Sequence, residues 1–175
     1  MPTDETQLYS LSEANSRFAK IYNGACWSYL SKNERSADDT AKMINLAHAS
    51  LLHWSESKEC TSLNLQRGEH LIATAYAFAG RGEPAYHHAR RCFDMTLSNS
   101  ASMDFDIAYA YQIMARVLAL TGSNEEAKEY LSKMVDAAGQ IKNNKDKEIF
   151  MDDLSAGNWY GLMDLVREGI RSLSV

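Results

Sequence analysis

Proline is nearly missing from this 175-residue chain. Only Pro2 and Pro84 occur, so little interrupts a helical backbone, and apolar residues recur at spacings of three and four through most of the sequence. Strands have little room. No run approaches the roughly 18 consecutive apolar residues of a bilayer span, which predicts no membrane segment. The three cysteines, Cys26, Cys60 and Cys92, lack the CxxC spacing of a zinc clip or a thiol-exchange pair, so buried, reduced thiols are expected. Basic charge is also scarce. The formal net charge is -5 and Arg90-Arg91 is the one adjacent arginine pair, which argues against nucleic acid as a partner. The polar, acidic start Met1-Pro2-Thr3-Asp4-Glu5-Thr6 lacks the positive flank and apolar run of a secretory signal, so the expected location is cytoplasmic.

What is present reads as helix throughout. Ser10 with Glu13 fits a capping box, opening a first helix whose inner stripe would be Leu11, Ala14, Phe18, Ile21, Ala25 and Tyr29. A second stripe, Ala41, Ile44, Ala47, Leu51 and Trp54, predicts a helix paired back on the first. Sliding the chain against itself by 42 residues then aligns Ala73 with Ala115, Ala77 with Ala119, Gly80 with Gly122, Glu83 with Glu125 and Ala85 with Ala127. A shift of that length is one helix-turn-helix unit. The glycines fall where each first helix should end, since glycine takes the left-handed cap without a Cβ clash. Pro84 suits a helix start, and Ser123 with Glu126 predicts another capping box.

Helices are expected near 63–79, 83–97, 104–121 and 124–142. Ile149, Phe150 and Leu154 suggest a seventh, and Trp159, Leu162, Met163, Leu165, Val166 and Ile170 an eighth. The predicted fold class is all-α: a single domain over 1–175, about eight helices in antiparallel pairs. The clearest repeats are 63–97 and 104–142, and atypical end pairs cover 10–57 and 144–173.

The order of small, aromatic and glycine residues at Ala73, Tyr76, Gly80, Ala85, Ala89 and Cys92 resembles the tetratricopeptide repeat. Ala115, Leu118, Gly122, Ala127, Leu131 and Met134 follow the same frame. The unit is longer than the family's usual 34 residues, and Glu69 stands at the usual tryptophan position. The segment running from His53-Trp54 through Asn64, Arg67-Gly68-Glu69 and Glu83-Pro84 to His88-Ala89-Arg90-Arg91-Cys92 is also similar to a group of bacterial repeat proteins with no established activity. The resemblance implies stacked helix pairs, as a right-handed superhelix or a compact bundle, whose first helices line a concave binding face.

On those first helices Arg67, His70 and Thr74 stand at i, i+3 and i+7, and Tyr109, Gln112 and Arg116 repeat the spacing one unit later. Together they predict a polar strip able to hold a peptide or protein segment. Because arginines pair with carboxylates or phosphates, an acidic segment would suit it. An ordinary solvated helix face is the competing reading.

His53, Trp54, Glu69 and His88 form a second candidate pocket, although Trp54 lies on the apolar stripe and is better explained as core. The five histidines fall within some forty residues, but His48 and His53 point about 140° apart on a helix, unlike an HExxH zinc site. No metal or other cofactor is expected. Asp104 and Asp106 read as carboxylates at a helix N-terminus. No catalytic residue is assigned: Gly80-Arg81-Gly82 is not a phosphate loop, no GxSxG elbow occurs, and Cys92, four residues after His88, is explained by packing. The expected function is non-catalytic peptide or protein binding. The alternatives are a structural or regulatory homo-oligomer such as a homodimer, using the same strip or the end helix with Trp159 and Tyr160, and a metal- or small-molecule-dependent enzyme built on Glu69, His53, His70 and His88.

Overall fold

The computed structural model describes residues 9–173, so the acidic start behind the cytoplasmic expectation lies outside the described residues. Eight helices follow in order: α1 (Leu11–Leu30), α2 (Ala37–Ser55), α3 (Ser62–Phe78), α4 (Gly82–Ser98), α5 (Asp104–Leu120), α6 (Asn124–Gly139), α7 (Asn144–Leu154) and α8 (Met163–Leu173). The described residues contain no strand. None of these helices is long and apolar enough to cross a membrane.

Local chemistry sets the helix ends. Ser10 with Glu13, Ser36 with Asp39 and Thr61 with Asn64 form reciprocal capping boxes at α1, α2 and α3, and Asn143 accepts from the Lys145 and Asp146 amides at α7. At the other end, Gly80 and Gly122 both have positive φ. The next amide in each case reaches back to a carbonyl five residues earlier, Arg81 to Tyr76 and Ser123 to Leu118. These twin left-handed caps fall at the 42-residue offset. The expected box at Ser123 does not form, because its side chain makes no capping hydrogen bond. Glu125 and Glu126 stand in the first turn of α6 instead, where negative charge meets the positive end of the helix dipole.

The pairs α1–α2, α3–α4 and α5–α6 pack as hairpins and stack in sequence. The last two helices separate: α7 lies against α5, whereas α8 lies against α6. One core cluster runs from Ala73 through α5 and α6 to Phe150, Trp159 and Val166. The other joins Cys26, Leu30, Met43 and Ile44 to Leu71, Ile72 and Ala75, and Tyr76 packs against both. At Ala73, Ala77, Ala85, Ala89, Ala115 and Ala127 the side chain is fully buried, which lets paired helices approach closely.

The inner stripe expected of α1 is rotated. Leu11, Phe18 and Ile21 are exposed at 80%, 44% and 57%, while Asn15, Ser16, Ala19, Cys26 and Leu30 face the core. Polar residues occupy that inner face because each finds a partner. Asn15 donates to the Glu56 carbonyl and accepts from His53 Nδ1 at 2.7 Å, and Ser50 Oγ donates to the Ala19 carbonyl at 2.9 Å. In α2, Ile44 and Ala47 are buried but Ala41 is exposed. The eighth helix begins later than its apolar residues suggest, since Trp159 and Leu162 are buried in the preceding loop.

Candidate functional site

A groove of about 470 Å³ opens along the face made by α1, α3, α5 and α7. Trp27 and Asn23 of α1, Leu71 of α3, Phe105 of α5 and Ile149 of α7 form its walls. Arg67, His70, Asp106, Tyr109, Asp146 and Asp153 bring polar groups to it. A smaller hollow of about 50 Å³ adjoins it, sharing Trp27, His70, Tyr109 and Asp153 and adding Thr74, Phe78, Gln112 and Arg116. The two hollows together are lined by all six residues of the strip expected from sequence.

Those six differ in how they are held. Arg67 is engaged: Nε and Nη2 donate to the two carboxylate oxygens of Asp106 at 2.8 and 2.9 Å, and the guanidinium lies 5.0 Å from the Phe105 ring. Asp106 also accepts from the Met103 amide at 3.0 Å, so it closes the start of α5 and ties α5 to α3. Asp104 makes a different contact, accepting from the Lys142 amide in the loop between α6 and α7.

His70 lies 3.4 Å from Gln112 Oε1 through Nε2 and edge-on to Tyr109 at 5.2 Å. Burial pushes its imidazole down to about 4, so it is neutral at pH 7 and Nε2–H donates to Gln112. Thr74 turns its hydroxyl back to the His70 carbonyl. Tyr109 donates to Asp153 at 2.6 Å and packs edge-on against Phe150. Burial holds the Tyr109 phenol above its ordinary value, and Asp153 is raised by its own burial despite the Tyr109 hydrogen bond.

Arg116 is 1% exposed. Its Nη1 donates to the Ala156 carbonyl at 3.0 Å, and the guanidinium lies 4.3 Å from the Trp159 ring and 4.9 Å from Phe78. Nε and Nη2 have no hydrogen-bond partner among the described residues. Burial pushes this guanidinium down to about 9, leaving it charged at neutral pH.

The second candidate pocket does not come together at the groove, which none of its four residues lines. His53 serves Asn15 and sits 5.4 Å from both Phe18 and Tyr22, and Trp54 is half-buried with Lys20 5.6 Å from its ring. Glu69 and His88 form a separate α3–α4 clamp. Glu69 is 3% exposed and accepts from His88 Nδ1 at 2.7 Å and Arg91 Nε at 2.8 Å. Burial alone would raise its carboxyl, but these two hydrogen bonds outweigh it and hold the group below its ordinary value. Among the described residues no group of three His, Cys, Asp or Glu side chains is arranged to hold a metal ion. Burial pushes the Cys92 thiol up to about 12, and its sulfur lies near Thr96 rather than His88, which leaves it inert as a nucleophile.

Several lining residues escape a reading of the sequence. Trp27 lies off the stripe assumed for α1. Asp146, Ile149 and Asp153, on the other hand, stand at i, i+3 and i+7, the same spacing that picks out the strips on α3 and α5. That signal was available on α7. Comparison of the chain with protein families, with curated proteins and with solved structures finds no match.

Proposed function

We propose that this protein is a non-catalytic binding module whose groove holds a peptide or protein segment. The observation that carries the reading is the make-up of that groove, in which α1, α3, α5 and α7 each contribute to one hollow of about 470 Å³. Apolar walls around a few fixed polar groups suit recognition, and stacked helix pairs commonly bind along such a face.

Ile149 is half exposed at the groove wall, so an arginine there obstructs the groove without disturbing the core. Peptides selected from a random displayed library against the full chain should bind the Ile149→Arg variant at least about tenfold more weakly by calorimetry, a difference of roughly 1.4 kcal/mol, with unchanged circular dichroism. Equal binding to both proteins, or a library that yields no enriched peptide, sinks the reading.

Self-association is a second reading, favoured by the outer face of α1. Leu11, Ala14, Phe18, Ile21 and Ala25 fall within an arc of about 80° at alternating spacings of three and four, the pattern by which like helices pair. Trp159 is buried and donates to the Leu154 carbonyl, whereas Tyr160 is half-buried, with its hydroxyl donating to the Ala77 carbonyl.

A further inference from the structure

The charges that line the groove do not balance. Its lining holds one cation, Arg67, against three carboxylates, Asp106, Asp146 and Asp153, since His70 is neutral. Asp106 takes up the Arg67 charge through two hydrogen bonds. Asp146 and Asp153, both on α7, have no ion-pair partner among the described residues. The Asp146 side chain makes no hydrogen bond among those residues, and Asp153 uses Oδ2 alone, for the Tyr109 hydroxyl. Their remaining oxygens are open to solvent, because the buried side-chain atoms left without a partner belong to Arg116 alone. At longer range Asp146 acts on Arg67 and Asp153 on Arg116. Counting Arg116 from the smaller hollow still leaves two cations for three carboxylates, a surplus of negative charge along the α7 wall.

We propose that the groove selects a basic side chain: a lysine or arginine of the bound segment sets its cation against the Trp27 ring and the α7 carboxylates Asp146 and Asp153. This rests on the groove reading and names the chemistry of the segment. Arg67 shows how these walls hold a cation, with its guanidinium hydrogen-bonded to the Asp106 carboxylate and 5.0 Å from the Phe105 ring. Trp27 and α7 supply the same two components, ring and carboxylate, and both attract a cation more strongly once water is displaced. Among the described residues no cation of the chain lies over Trp27. Asp146 and Asp153 stand about 10 Å apart along the helix axis, with Ile149 between them on the same face. The aliphatic stem of a lysine or arginine therefore covers Ile149 while its head reaches one of the carboxylates. An acidic segment, which Arg67 and Arg116 suggest by residue type, would add to the negative surplus; one of these arginines is taken by Asp106 and the other is buried.

The test follows the tryptophan indole N–H resonances of the ¹⁵N-labelled full chain. Trp27 lines the groove, while Trp54 lies outside it and Trp159 is committed to the Leu154 carbonyl, so these two serve as references. The probes are the acetylated amides of arginine, lysine, norleucine and glutamate at constant ionic strength. A saturable shift at Trp27 with the two cations, and with neither the neutral nor the anionic probe, is the expected result. Asp146→Asn with Asp153→Asn should weaken the cations about tenfold or more. If that pair unfolds, Asp146→Asn alone, at a side chain with no partner in the fold, should weaken them about threefold. Failure of both cations to saturate, equally tight binding of norleucine or glutamate, or unchanged affinity in the carboxylate variants overturns the assignment.

Peptides selected on the groove then separate this inference from the reading beneath it. Enriched sequences should carry lysine or arginine, and exchange of that residue for norleucine or citrulline, which removes the charge and keeps the stem, should weaken binding about tenfold or more. Enriched peptides without a basic residue, whose binding is lost in Ile149→Arg, overturn the basic side chain and leave the groove reading standing. Saturation of Trp27 by the cationic probes with no selectable peptide does the reverse, leaving a site for a small organic cation.

Discussion

Buried ionisable residues divide this molecule into groups that hold the fold and groups that the fold holds at a cost. Glu69, gripped by His88 and Arg91, and Asp106, gripped by Arg67, belong to the first kind. His70 belongs to the second, because burial holds its imidazole at about 4 against an ordinary 6.5. The unfolded chain therefore takes up a proton near pH 6.5 that the folded chain refuses until about pH 4. His70 leaves stability undiminished above pH 6.5 and removes it as pH falls through that window. The full loss is on the order of 3 kcal/mol. His48, also lowered mainly by burial, acts in the same direction, and Glu69, whose carboxyl is depressed, adds its loss below its ordinary value. Urea unfolding of His70→Gln between pH 7 and 4.5 should give a flatter stability profile than the parent protein. Parallel profiles would mean that His70 protonates in the fold as easily as in water.

At the scale of helices, the sequence was most legible where backbone geometry restricts the residue. Gly80 and Gly122 marked two helix ends correctly because their positive φ disfavours side chains. The alanine frame at Ala73, Ala77, Ala85 and Ala89 marked close-packed contacts for the same kind of steric reason. Ala73→Leu should therefore destabilise by about 1–3 kcal/mol through overpacking, measured as a lowered urea midpoint at an unchanged slope. A neutral result would mean that α3 and its neighbours have slack there. Legibility failed on α1, where apolar content pointed to Leu11, Phe18 and Ile21. Hydrogen bonding to Glu56 and His53 on another part of the chain, which a one-dimensional pattern does not display, instead turned Asn15 inward. The strip on α3 and α5 was visible through its spacing. That Arg67 would be consumed by Asp106 while Arg116 would be buried was not, since both depend on contacts between residues about forty positions apart.

For the whole molecule, the outer face of α1 decides whether the stack ends in solvent or against a second copy. If copies pair there, sedimentation velocity should show a mass that rises with concentration in the parent protein and stays monomeric in Ile21→Glu. Ile21 is 57% exposed, so this substitution should leave the monomer's stability within about 0.5 kcal/mol. A monomer at all concentrations removes the self-association reading and leaves the stripe as plain surface. The groove lies on the side of α1 that carries Asn23 and Trp27, away from this face, so a copy paired there would leave the groove open.

The parting of α7 from α8 bears on how the protein is made. A chain emerging from the ribosome can form α1–α2, α3–α4 and α5–α6 as local hairpins, each shortly after its own residues appear. The groove cannot be completed in that piecemeal way. Its last wall is α7, and the rings around Arg116 include Trp159 from the stretch beyond it. Tyr160 then reaches back across more than eighty residues to the end of α3. The groove thus arrives late and all at once: a nascent chain halted after α6 has most of its helices yet lacks both a groove wall and the Trp159 ring beside its buried arginine.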